Sequence, residues 1–316
     1  MKKISTRIIL LVLLCSIPMA VGATSIYRSM KAIEDLARDN LVEEAKNHSE
    51  SINKKLLVYE TTNHGISQLI QSVVNMSFLG DEDYLENHIN NILDPTIKRT
   101  ITKTENCMGM SVGFHHSFTG KTEGAWWVLG ENGDIERFVQ NDLSGKDPKD
   151  PSLKWYYDAF SSKKGNWSAP YVNDKGLNVI TYSEPIIANS VPIGVVTVDL
   201  NLEGISAEVN NIKLFETGYG YLLSKEFDYL VHPSLDSSSN FMTINNGQYK
   251  SIGEEMEEKG LGIVETKFDG EIKLMSFAKL IDGKILVLTV PRNEILSTMY
   301  NTIYIIVIVM IISIIF

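Results

Sequence analysis

Between Ser29 and Phe78 the chain has no proline and one glycine, Gly65, and its apolar residues return at helical spacing. Ile33, Leu36, Leu41, Ala45, Ile52, Leu56, Ile66, Ile70 and Val73 form one stripe, which predicts a long helix over residues 28–79. At ~1.5 Å per residue, fifty residues reach ~75 Å, more than one small domain needs and enough to serve two. A second stripe on the same helix is free to meet a partner helix, so the pattern is also compatible with a homodimer.

A shorter helical stretch over 84–93 is predicted to end before Pro95. Strand-like chain then begins. Apolar runs at 108–114 and 126–129 read as strands, with a hairpin signal at Glu131, Asn132, Gly133 and Asp134. Pro148 and Pro151 break the pattern, and a short helix over 155–160 follows. Strands are expected at 179–182 and 194–200, with Pro185 and Pro192 confined to their connection. After a linker over 205–218 the strand pattern recurs on a smaller scale at 219–223, 229–232, 262–268, 272–280 and 285–290, punctuated by the turn pairs Asp269-Gly270 and Asp282-Gly283. The predicted fold class is α+β: a long N-terminal helix serving two stacked antiparallel-sheet modules.

The two ends change the picture. Residues 8–26 carry no charge and follow Lys2, Lys3 and Arg7; residues 300–316 are also uncharged, with Tyr300 and Tyr304 at interfacial positions. Each run has about the ~20-residue length of a bilayer crossing. A cleavable signal peptide is the alternative for the first run, permitted by Ala20, Gly22 and Ala23, but the run exceeds the ~7–15 residues of a signal core. The basic residues before it place residues 1–7 in the cytoplasm and the middle of the chain outside. The net charge of −10, without a cluster of Lys and Arg, argues against a nucleic-acid partner. Of two cysteines, Cys15 falls in the first apolar run, so Cys107 has no disulfide partner outside and reads as a small buried residue. No cofactor motif or metal-ligand spacing is read from the chain, nor a nucleophile elbow, and adjacent His115 and His116 would face opposite sides of a strand. An anchored extracytoplasmic enzyme is therefore the least favoured class.

The runs WYYDAF (155–160), WSAPYVN (167–173), ITYSEPI (180–186) and PIGVVTVDL (192–200) resemble, in order and spacing, the membrane-distal module of double Cache sensor domains. TGYGYLLSKEFDYLVHPS (217–234) resembles the start of their membrane-proximal module. The resemblance covers roughly residues 28–298 and implies the sensor region of a bacterial transmembrane receptor similar to methyl-accepting chemotaxis proteins, with PAS-like sheets. It implies a division into a cytoplasmic N-terminus (1–7), a first transmembrane helix (8–26), the long helix (28–79), a ligand-binding distal module (80–204), a proximal module (205–298) and a second transmembrane helix (299–316) ending before an output module. A histidine kinase or diguanylate cyclase is the alternative output, and cytoplasmic signalling partners would meet that part.

Residue by residue, the resemblance implies a small-molecule site formed by Trp155, Tyr171, Asn173, Asp199, Tyr182 and Trp127. Trp155 and Tyr171 match an aromatic wall, and Asp199 an acidic anchor for a ligand amine. Three departures stand out. Leu153 occupies the place of an Arg that clamps a ligand carboxylate, Pro148 that of a Tyr, and Asn173 that of an Asp. Leucine cannot make a bidentate carboxylate contact. An amine-type solute is therefore expected ahead of a standard amino acid. His232 is expected to fix a strand-end turn and Lys154 to face solvent.

Overall fold

The computed structural model describes residues 2–86, 90–130, 132–173, 175–268 and 270–297, with 300, 304, 305 and 308 beyond them; residues 2–20, 23 and 90 are described by backbone alone. The chain divides into two units, residues 50–209 with 280–283, and residues 1–49, 210–279 and 284–316. Helix α1 runs unbroken over Lys2–Val73. Among the described residues no helix is long and apolar enough to cross a membrane, and most of the expected spans 8–26 and 299–316 lies outside the described side chains.

Along α1, Leu41, Ala45, Ile52, Leu56, Ile66 and Ile70 are buried, as the stripe predicts. Ile33 and Leu36 depart from it, being 48% and 58% exposed. At ~100° per residue Leu36 points ~140° away from Leu41, so one straight helix cannot bury both on one side. Glu34 is half-buried instead on that side, bonded by Arg38 and Arg292.

In the unit of residues 50–209, α2 (Asn90–Lys103) contains Pro95 instead of stopping before it. Proline forfeits only one backbone donor near the start of a helix, and buried Leu93, Ile97 and Ile101 supply the apolar stripe that carries α2 onward. The sheet comprises β1 (Cys107–Phe114), β2 (Glu123–Leu129), β3 (Ile135–Val139), β4 (Asn166–Trp167), β5 (Tyr171–Val172), β6 (Asn178–Ala188) and β7 (Val191–Asn201). Its order is β3-β2-β1-β7-β6-β4, all antiparallel, with β5 also on β6.

Pro185 and Pro192 lie inside β6 and β7, not between them. The Pro185 carbonyl accepts from Ser67 Oγ of α1 at 2.8 Å. Its nitrogen therefore points away from β7, and β4 pairs with β6 only as far as Ser183, so the ladder loses nothing. Asn63, wholly buried, donates from Nδ2 to the carbonyls of Tyr182 and Val196, fixing α1 to the same face. Helix α3 (Lys154–Ser162) packs on the opposite face through Tyr156, Tyr157, Ala159 and Val195, with Lys154 exposed as expected.

The segment expected as a linker is mostly structured: α4 (Leu202–Asn210) buries Leu202, Ile205 and Val209. The second unit holds β8 (Lys213–Leu214), β9 (Gly218–Leu223), β10 (Tyr229–Val231), β11 (Leu261–Phe268), β12 (Glu271–Lys279) and β13 (Ile285–Pro291) in the order β10-β9-β13-β12-β11, with β8 on β9. An aromatic core of Tyr221, Tyr229, Phe241, Tyr249, Phe268 and Phe277 fills one face, and α5 (Lys250–Lys259) contributes buried Met256. His232 Nδ1 accepts the backbone N–H groups of Ser234 and Leu235, the turn-fixing role expected of it.

Candidate functional site

The face of the seven-stranded sheet opposite α1 carries a cavity of about 220 Å³. Its floor follows from strand alternation: Gly109, Ser111 and Gly113 of β1 point to one side, Met110, Val112 and Phe114 to the other. The central strand thus presents no large side chain to the cavity, while its other side is core. Ser111 faces Thr197 of β7, hydroxyl to hydroxyl at 2.7 Å.

Residues 109–113 do spell Gly-x-Ser-x-Gly, the lettering of a nucleophile elbow, which the reading of motifs passed over. Here they run extended inside β1 with no strand-to-helix turn. That elbow owes its chemistry to a sharp turn that exposes the serine, and the lettering without the turn does not reproduce it.

Asp199 lies at the cavity wall, 5% exposed. Its Oδ1 accepts from Thr181 Oγ1 at 2.6 Å, Thr181 Oγ1 is 2.8 Å from Tyr171 Oη, and the Trp126 indole donates to the same carboxylate. Burial, opposed by those two donors, pushes the carboxyl up to about 6. Glycine at 109 permits this arrangement. A Cβ there would stand 2.6 Å from the Trp127 carbonyl oxygen and 3.3 Å from Trp126 Nε1, where the indole crosses β1.

Four of the six expected residues line this cavity: Trp155, Tyr171, Asn173 and Asp199. Asn173 also builds the turn before β6, its Oδ1 accepting from the N–H groups of Lys175 and Leu177. Trp127 and Tyr182 stand elsewhere. Trp127, fully buried, faces α2 and donates its indole N–H to Asp94 Oδ1 at 2.8 Å. Tyr182 packs against Trp167 and donates to Glu184 Oε2 on the α1 side. Both corrections have one cause: neighbours along a strand point to opposite faces, so Trp126 and Thr181, one residue away, turn toward the site.

Leu153, at the place expected for a carboxylate clamp, is buried at the wall. An exposed lysine, Lys146, also lines the opening, as does Gln140. Neither stood out in the sequence, since both lie on irregular chain after β3. Cys107 is buried, and burial pushes its thiol up to about 12, away from reactivity. His115 and His116 do not straddle a strand. β1 ends at Phe114, His115 caps a short helix over His116–Thr119, and the two rings lie 4.0 Å apart. His115 also stacks on Phe160 at 4.2 Å, and burial lowers it to about 4.

Residues 93–207, the part of the chain that builds this cavity, match the family model described as methyl-accepting chemotaxis protein-like, first PDC sensor domain. The methyl-accepting chemotaxis protein McpG of Pseudomonas putida is 26% identical over 145 residues, 45% of this chain and 22% of that protein. The chain thus spans about a fifth of the length of the curated relatives it matches. Among solved structures, the extracellular domain of a putative histidine kinase, mmHK1S-Z3, superposes with a TM-score of 0.68 at 19% identity, covering 84% of this chain and 98% of that one. The sensory domain of the Campylobacter jejuni chemoreceptor Tlp3 with isoleucine bound gives 0.61 at 16% identity, covering 84% and 97%. At such identities these two structures establish a shared fold.

Proposed function

We propose that this chain, whose residues 93–207 form a sensor domain of the Cache type, is the extracytoplasmic ligand-sensing region of a bacterial transmembrane chemoreceptor, taking a small ammonium-bearing solute into the cavity against Asp199. In this reading residues 80–204 are the ligand-binding module, 205–298 a second module, and 8–26 and 299–316 the membrane spans. The observation that carries it is a buried carboxylate at a cavity wall whose bonded donors are a hydroxyl and an indole. Thr181 and Trp126 are neutral donors, so a cationic ligand supplies a charge that they do not, and Trp155 and Tyr171 offer ring faces to the same cation.

A standard amino acid is the second reading, favoured by Lys146, which offers a cation to a ligand carboxylate. That ammonium is a compact charge on a flexible, exposed stem and lacks the planar fork of an arginine at position 153. A thermal-shift screen of the full chain in nonionic detergent separates the two. A ligand at ~100 times its dissociation constant stabilises by ~2.7 kcal/mol, and amines without a carboxylate are expected to give the largest shifts. A best hit that requires a free carboxylate would reverse the ranking.

The membrane topology has its own check. A reporter active only in the cytoplasm should be silent after Ser234 and active when joined past Phe316; activity at Ser234 contradicts it. Pairing with a second copy along α1 is part of the same proposal, and sedimentation of the detergent-solubilised chain reads its mass directly. A histidine kinase or diguanylate cyclase output remains the alternative to a chemotaxis output, and the sequence following Phe316 in the gene distinguishes them.

A further inference from the structure

We infer that Ser111 and Thr197, the hydroxyl pair on the cavity floor, select the ligand, and that the solute carries a neutral oxygen acceptor about three methylenes from its ammonium. The inference rests on the reading that Asp199 takes that ammonium.

Two hydroxyls carry two hydrogens, and these two share one hydrogen bond at 2.7 Å. Whichever of them donates, the other keeps an O–H, and the pair makes no further hydrogen bond among the described residues. A hydroxyl shielded from water and lacking an acceptor is costly, so an acceptor brought in through the cavity is favoured.

Ser111 is the uncovered part of the floor. At Gly109 an added Cβ would stand 3.3 Å from Trp126 Nε1, and at Gly113 it would stand 3.4 Å from Tyr156 Cε2 and 3.5 Å from Gln140 Cγ. Side chains therefore lie over the β1 floor at both glycines. Ser111, between them on the same side of β1, lines the cavity and is 5% exposed. Its backbone is held between β2 and β7, which leaves the hydroxymethyl group as the surface it gives to the cavity.

Asp199 stands two residues beyond Thr197 on β7, on the same face, ~7 Å along the strand at ~3.3 Å per residue. Three methylenes hold an ammonium and an oxygen ~5 Å apart when extended, and a small outward tilt of the two hydrogen bonds closes the difference. A carboxylate at that distance would meet the like charge of Asp199, so a hydroxyl or ether oxygen is the matched acceptor. A plain alkyl chain leaves the floor O–H unsatisfied, and the cavity should discriminate against it.

The test compares 3-methoxypropylamine with n-pentylamine, an oxygen in place of one methylene, by titration calorimetry on the full chain in nonionic detergent at pH 7.5. The ether accepts a hydrogen bond and cannot donate one, so it reports on a floor donor alone. The wild type is expected to bind the ether about tenfold more tightly, because the alkyl chain strands the floor hydroxyl. Ser111→Ala and Thr197→Val each leave one hydroxyl hydrogen, so the double variant is the diagnostic one, and it should lose the preference for the ether. Should the double variant fail to fold, the comparison in the wild type decides alone. An ether preference intact in the folded double variant overturns the assignment of Ser111 and Thr197. Equal affinity of the two amines in the wild type, with binding still lost on Asp199→Asn, overturns this inference and leaves the Asp199 reading standing. Absence of binding by both amines overturns the two together.

Discussion

Asp199→Asn is expected to abolish amine binding and, at the same time, to raise the melting temperature of the unliganded protein at pH 7.5. Loss of one partner from a buried, hydrogen-bonded charge pair costs ~2–5 kcal/mol, so affinity should fall at least about thirtyfold. The gain in stability has the same origin. Burial holds the Asp199 carboxyl at about 6, against ~3.9 in an unfolded chain. Between these values the folded protein binds more protons than the unfolded one, so stability falls as pH rises from about 4 to 6, and the loss is complete above that. At neutral pH the penalty is on the order of 3 kcal/mol. Asparagine removes the charge, and its amide oxygen can still accept from Thr181. Melting temperatures measured from pH 4 to pH 8 should therefore converge at the acid end, separate between about pH 4 and pH 6 and stay apart above that, with the variant the more stable. A variant less stable at pH 7.5 would mean that the carboxylate is satisfied within the protein and has no need of a cationic ligand.

The adjacent tryptophans should give opposite results. Trp127→Ala removes a fully buried indole and its bond to Asp94, and truncations of this kind cost ~3–5 kcal/mol. Its melting temperature should drop strongly, while amine affinity measured below the transition stays near the wild-type value. Trp126→Ala removes a partly exposed cavity wall and a donor to Asp199. It should melt ~1.5–3 kcal/mol below the wild type, the cost of a hydrogen bond to a charged group, and bind amine about tenfold more weakly because the cavity loses a ring face. Thermal melting by circular dichroism and calorimetry on the two variants decide this. Strong loss of binding in folded Trp127→Ala would return that residue to the site.

Much of this was legible along the chain, for physical reasons that also mark where reading failed. The strands of the second unit are legible as short apolar runs that end at Asp-Gly turns, because β12 and β13 are buried along most of their length and the hairpins need residues tolerant of positive φ; Gly270 and Gly283 adopt it. The long helix is visible because fifty residues without a proline and with a 3.6 period admit little else. Pro185 misled because the cost of a strand proline depends on where its nitrogen points. Here Ser67, 118 residues away, takes the carbonyl on that side. Pro95 misled in the same way, since its tolerance depends on where α2 begins.

At the site, Trp155, Tyr171, Asn173 and Asp199 emerged from the sequence because they sit within recognisable runs. Trp127 and Tyr182 were misassigned because strand identity does not give strand face: a shift of one residue exchanges the cavity for the core. The small residues of β1 carried a usable clue. Gly109, Ser111 and Gly113 alternate with Met110, Val112 and Phe114, and a strand with one bare side in a folded protein either packs closely against another element or floors a cavity. Had β2 been paired against that side, Trp126 would have been chosen. Gln140 could not have been found this way, since its burial is a product of tertiary packing.

An ion pair between a ligand ammonium and Asp199 is read from the protons released on binding. At pH 6 about half of the unliganded molecules carry a proton on a carboxyl that titrates at about 6, and an ammonium beside it must displace that proton. Titration of n-pentylamine into the full chain, in two buffers of different ionisation enthalpy, is predicted to show release of about half a proton per bound amine at pH 6 and almost none at pH 8. Amine binding at pH 6 without proton release would show that the ligand's charge is met somewhere other than at Asp199.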